Sequence, residues 1–223
     1  MARWLKLALL LFVALGLLAA VAGYVVYRAM QHVPEFYRVA IAADPAAERT
    51  ASDRMLQRTA ALASDLRKEG RWQTVFTADE INGWLAVDLA RNHPGLLPPA
   101  IRDPRVAITP EHVILACRYR AGGIDSVLWL TMDAYLIEPN VIGLRIRKAR
   151  AGALPLPLDE VLGEIGRASG QWEWRVDWRQ ADGDPVAQVR VPPPRNPEDK
   201  LVRIETLRLG EGEIYVAGST QRR

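Results

Sequence analysis

The sequence predicts an α+β fold: an N-terminal transmembrane helix, then an antiparallel sheet packed on two or three helices. Three observations carry this prediction. An uncharged apolar run opens the chain, helical periodicity dominates between Ala46 and His93, and from Arg105 onward the period switches to two. With 223 residues, 49% of them hydrophobic, there is enough chain for one well-cored domain beside the apolar segment.

The first element is the run Leu7 to Val26, LALLLFVALGLLAAVAGYVV, whose roughly 20 residues match the span of a bilayer. Arg3 and Lys6 precede it, Arg28 follows it, and Trp4, Tyr24 and Tyr27 stand where an interfacial aromatic belt would lie. A secretory signal would use the same residues, with Ala20-Val21-Ala22 as its small-x-small cleavage site. The apolar run continues through Tyr24-Val25-Val26, further than a cleaved signal needs, which favours an uncleaved anchor. Either reading leaves the N-terminus cytoplasmic and sends the main domain across the inner membrane, into a periplasmic or extracellular space. The organisation expected is therefore residues 1–28 as anchor or signal peptide, 29–45 as a juxtamembrane linker, 46–220 as one extracytoplasmic α+β domain, and 221–223 as a tail.

Pro34 and Pro45 bound the linker and limit any helix there. A helix follows between Ala46 and Leu66, with Met55, Leu56, Thr59, Leu62, Ala63 and Leu66 on its apolar stripe and Arg54, Arg58, Asp65 and Arg67 away from it; Gly70 ends it. A second helix starts at Thr77, where Thr77 and Glu80 form a capping box and Phe76 and Ile81 a hydrophobic staple. Ile81, Trp84, Leu85 and Leu89 give it one apolar face, and His93-Pro94 stops it. Gly83 reads as a place for close backbone approach by the sheet; Asn82 has no role that spacing reveals.

Strands then follow. RVAIT and VILACRYR flank the turn Pro110-Glu111-His112, and IDSVLWLTMDAYLIE is apolar at both parities, as a central strand covered on both sides would be. Glu138-Pro139-Asn140 turns into VIGLRIRKAR. A further helix is expected from Leu158 to Ser169, then WEWRVDW, with Trp172, Trp174, Val176 and Trp178 on one side. Asp182-Gly183 turns into PVAQVRV, and LVRIETLRL with EIYVAGST makes a closing hairpin around Gly210-Glu211-Gly212.

The chain carries little that reads as catalytic. His32, His93 and His112 lack neighbours at metal-ligand spacing, and no phosphate loop or Gly-x-Ser-x-Gly elbow occurs. Asp79, Glu80, Asp159 and Glu160 fall in first helical turns, where the dipole favours them. The single cysteine, Cys117, sits in an alternating apolar stretch as a buried thiol. The net charge of +3 comes largely from the flanks of the apolar run, so there is no general field for nucleic acid. The expectation is a protein that is not an enzyme and uses no cofactor and no metal.

Two clusters remain. Four of the seven tryptophans, Trp129, Trp172, Trp174 and Trp178, fall on expected strands, where they serve as core or, with Ile81, Trp84 and Leu85, line an apolar groove. Arg145, Arg147, Lys148 and Arg150 form either a solvated strand face or a contact for anionic headgroups.

The phrase Thr77-Ala78-Asp79-Glu80-Ile81-Asn82, the later GALPLPLDEVL, and the terminal GEIYVAG (Gly212 to Gly218) resemble, in that order, the tubular lipid-binding (TULIP-like) superfamily and its small bacterial membrane-anchored envelope members. The resemblance covers roughly Val75 to Gly218. It implies a strongly curved sheet wrapped around the helices and an apolar cavity for a lipid or fatty acyl ligand. The chain departs from that pattern in having no lipoprotein cysteine near the anchor and few wrapping strands, so a shallow groove or a cavity completed in a homodimer is expected. The competing expectation is an envelope scaffold that binds protein partners through its sheet and has no ligand cavity.

Overall fold

In the computed structural model, which describes residues 2–93, 95–158, 176–181, 183–191 and 200–222, the strands divide between two antiparallel sheets. The α+β class holds; the single wrapped sheet does not, and neither sheet is strongly curled. The helices are α1 (Ala2–Met30), α2 (Glu35–Ile41), α3 (Pro45–Asp65) and α4 (Ala78–Asn92). The smaller sheet runs β1-β10-β9 (Gly70–Thr77, Glu213–Arg222, Lys200–Gly210). The larger runs β2-β3-β4-β5-β8-β7 (Ile101–Ile108, Val113–Ala121, Ile124–Glu138, Val141–Ala151, Asp184–Arg190, Val176–Ala181), with the two-residue β6 (Leu154–Pro155) beside β5. The helix expected at Leu158–Ser169 lies almost wholly outside the described residues, as do Trp172 and Trp174.

Two elements escape the sequence reading. Residues 35–41, expected as linker, form α2, because Pro34 stands at its N-cap, where a missing N–H costs nothing. Tyr37 of that helix is 1% exposed and forms a core cluster with Ala116 and Val127, flanked by Phe36 and Trp129. Its hydroxyl donates to the carbonyl of Asp103, and burial pushes its pKa up to about 12. The other is β1. α3 stops at Asp65, before the Gly70 expected to end it, and Gly70–Thr77 then pairs residue by residue with β10.

The capping box of α4 is present in full: Thr77 Oγ1 accepts from the Glu80 amide, and Glu80 reaches back to the Thr77 amide. Asn82, one turn further on, completes the open edge of β2. Its Nδ2 donates to the Val106 carbonyl at 2.9 Å and its Oδ1 accepts from the Val106 amide at 2.7 Å, as a neighbouring strand would. Gly83 faces a helix and not a sheet. A Cβ there would lie 2.6 Å from the Ser52 amide nitrogen and 2.7 Å from the Ala51 Cβ, so the missing side chain is what lets α3 and α4 touch.

That close contact also corrects the stripe expected on α3. Its packed face is Ala51, Ser52, Met55, Arg58 and Leu62, while Leu56, Thr59 and Ala63 are exposed. Arg58 reaches the 3% exposed Glu80 with Nε and Nη2 at 2.9 and 2.7 Å. Burial pushes the Glu80 carboxyl up, but its hydrogen bonds from Arg58 and the Thr77 amide outweigh that and hold it below its ordinary value. A depressed carboxyl contributes stability above its unfolded pKa, and that contribution is lost as the pH falls through the folded one.

The two partners differ in burial, so their removal should differ in cost. Arg58→Met strands a buried carboxylate and is expected to cost about 3 kcal/mol in chemical denaturation near neutral pH. Glu80→Gln leaves only a half-exposed guanidinium and should cost about half as much, with a shallower loss of stability in acid. Equal costs for the two would show that the pair is not held as described.

Candidate functional site

The last carbonyls of any helix need donors from outside it. Those of α1 find them in the larger sheet. The amide of Ala153 donates to the Ala29 carbonyl at 2.8 Å, and Ser126 Oγ donates to the Met30 carbonyl at 2.7 Å. Gln31 Nε2 adds a longer bond to the Asp125 carbonyl. Gly152, at φ +58°, makes the contact possible, since a Cβ would collide with the carbonyls of Ala29 and Met30. The helix that ends there has a stretch, Leu10–Met30, that is long and apolar enough to cross a membrane, with mean hydropathy 2.4 and none of it buried. At 1.5 Å per residue it spans about 31 Å.

The strand registers sort the side chains of the larger sheet into two unlike faces, because residues paired across strands share a face and neighbours along a strand do not. One face carries Val113, Leu115 and Cys117 on β3, Leu128, Leu130, Met132, Ala134 and Leu136 on β4, Ile142, Leu144, Ile146 and Ala149 on β5, Ala187 and Val189 on β8, and Trp178 on β7. Most of these side chains are only half-buried. At its lower end this face meets Ser126 and Ala151, beside the end of α1. From Ser126 to Leu136 it extends about 33 Å along β4. The described helices pack elsewhere: α2 on β2 and the opposite face, α3 on α4 and β1, and α4 on β2 and β1. Cys117 lies within the apolar face, and burial pushes its thiol up to about 11, so it stays protonated.

The opposite face is polar over much of its area. Arg145 and Arg147 converge on Asp184 at 2.8 Å each, and Arg147 also binds Asp133 at 2.7 Å, which His112 Nδ1 meets from the other side. These two arginines thus have carboxylate partners in the sheet, about 16 Å (Arg145) and about 10 Å (Arg147) along β5 from Arg150. Lys148 is exposed on the same face. Arg150 stands beside the end of α1, with its guanidinium 5.4 Å from the Trp129 ring centroid. Arg118 and Arg120 are there too, both bound to Asp125, and Arg118 first and then Arg120 hold that exposed carboxyl down at about 2. Sequence periodicity did not mark these two, because their nearness to α1 comes only from the β3–β4 hairpin.

The expected groove residues lie in different surroundings. Trp178 belongs to the apolar face. Trp129 is on the other face, with Phe36 edge-on to it at 6.4 Å and its Nε1 donating to the Gly152 carbonyl at 2.8 Å. Ile81, Trp84 and Leu85 are half-buried on α4, where the Trp84 ring lies 6.0 Å from that of His93. No family model, curated protein or solved structure matches this chain.

The junction at Gly152 makes a direct prediction. Gly152→Ala strains a left-handed residue and pushes the sheet away from Ala29. In lipid nanodiscs its Ala153 amide should exchange with deuterium at least tenfold faster than in the unchanged chain. An unaltered rate would mean that α1 is not seated on the sheet.

Proposed function

We propose that this protein is a membrane-anchored, extracytoplasmic module that holds lipid acyl chains on the apolar face of its larger sheet and performs no covalent chemistry. The observation that carries the reading is continuity. The apolar face starts where α1 ends and runs about 33 Å along β4, roughly twice the depth of one leaflet of a 30 Å hydrocarbon core. A lipid tail moved from the bilayer onto such a face stays out of water, and each methylene kept buried contributes about 0.8 kcal/mol. The reading asks for an open face and not for a sheet wrapped around helices. Arg150 suits the headgroup end, since it lies close in the chain to Gly152, which meets the end of α1. Arg118 and Arg120, engaged by Asp125, suit it less, as do Arg145 and Arg147, engaged by Asp133 and Asp184. The likeness to the tubular lipid-binding superfamily agrees in kind, although Thr77, Glu80 and Asn82 each have a structural task here that would place them without any ligand.

A phospholipid with a photoactivatable group near the end of one acyl chain, incorporated in nanodiscs with the full chain, tests the reading. Labelling is expected at Met132, Leu136 and Leu144, beyond the reach of lipid that remains in the bilayer. Leu130→Arg should reduce it severalfold. Labelling confined to α1 would leave the scaffold reading in its place.

Orientation has its own test. Arg3 and Lys6 before the apolar run argue for a cytoplasmic N-terminus. A reporter that works only in the cytoplasm, fused after Arg223, should therefore be silent.

A further inference from the structure

Edge strands invite pairing with other chains, and proteins usually block them. Two edges here are blocked by the same device. Asn82 occupies the Val106 amide and carbonyl on β2, and Asn140 does likewise on β9, donating to the Val202 carbonyl at 2.8 Å and accepting from the Ile204 amide at 2.7 Å. Among the described residues, the outer edge of β1 has no neighbouring strand and no side chain bonds to the backbone of 71–76. In place of a plug there is an open groove of about 520 Å³, walled by Arg54, Gln57 and Ala61 of α3 on one side and by Gln73, Thr74 and Val75 of β1, with Tyr215 of β10 behind them, on the other. Its volume lies in the range of recognition clefts.

We infer that this groove receives an extended segment of a partner protein, which adds to the smaller sheet as a fourth strand beside β1. A strand lying between a sheet edge and a helix draws its affinity from main-chain hydrogen bonds and its selectivity from side chains at alternate positions. The walls state what those side chains are. Arg54 and Arg58 stand at the end near Thr77, and Asp65 at the end near Gly70. Glu80 already neutralises Arg58, which leaves Arg54 to meet a carboxylate. Asp65 is likewise held by Lys68, at 2.9 Å. The segment therefore carries an acidic residue at a position that faces Arg54. A second copy of this chain fits less well. The sequence of β1, GRWQTVFT, offers a cation but no carboxylate, and it arrives with its own α3 alongside.

The test uses the full chain in nanodiscs and a fluorescent octapeptide of alternating Val and Thr with Glu at its second position. A companion peptide has Gln in its place. The charged peptide should bind saturably, at least tenfold more tightly than the neutral one, and slow the exchange of amides in Gln73–Val75. Arg54→Glu should weaken it at least tenfold, and Ala61→Trp, which fills the groove, should abolish it. If Ala61→Trp does not fold, Arg54→Glu and the amide exchange decide. Absence of binding, equal binding of the two peptides, or indifference to Arg54→Glu overturns the inference. So does protection of the same amides without peptide as the chain dimerises, which would assign the edge to a second copy.

Discussion

A strand at the edge of a sheet, like the end of a helix, leaves backbone donors and acceptors that must be met, and this requirement joins the parts of the molecule. The β2 edge is met by Asn82 of α4 and, at Ile108, by the Gly212 amide from the β9–β10 turn. The β9 edge is met by Asn140 from the turn between β4 and β5. The last carbonyls of α1 are met by Ala153 and Ser126. Each of these bonds crosses from one element to another. Together they seat α4 on the larger sheet, hold the two sheets against each other, and fasten α1 to both β4 and the turn after β5.

Packing supplies the remaining order, with few large side chains. The α3–α4 contact rests on Gly83, Ala51 and Ser52, and beside it are two ion pairs, Arg58 with Glu80 and Arg105 with Glu48. Arg105 is 5% exposed on β2, and its Nε also donates to the Ala40 carbonyl just inside the end of α2. Such pairs add little net stability once desolvation is counted, but losing one partner is costly. Their effect is on arrangement: only one rotation of α3 brings both arginines to their carboxylates. The aromatic cluster around Tyr37 plays the corresponding part for α2, on the half of the sheet nearest α1.

Much of this was legible in the residues. The apolar helix, the capping box, the hairpin at Pro110–His112, the pairing of β7 with β8, and the turn at Asn140 follow from local chemistry that one sequence displays. What was not legible depends on partners distant in the chain. Arg58 reads as solvated until Glu80 is placed opposite it, and Asn82 reads as a poor helix former until Val106 is beside it. Strand β1 was hidden because the strand it pairs with, β10, is far away in the chain; its own alternation is short and blends into the start of α4. The two faces of the larger sheet illustrate the same limit. Alternation along β4 was plain, but which parity faces α2 is decided by Tyr37, in a segment that its prolines made look structureless.

The pairing of β1 with β10 also bears on how the molecule is made. Tyr215 and Gln73, which share a hydrogen bond, are 142 residues apart in the chain. Contacts of such separation form late, since the loop between them must be closed first. While the chain is being synthesised, Gly70–Thr77 emerges long before β10. Through that interval both sides of β1 are unpaired, and α3 beside it is the sole structure nearby that precedes it closely in sequence. The smaller sheet is therefore a device that completes itself only when Glu213–Arg222 has been released. Until then, the quality of the fold depends on how well the nascent strand is kept from pairing with other chains.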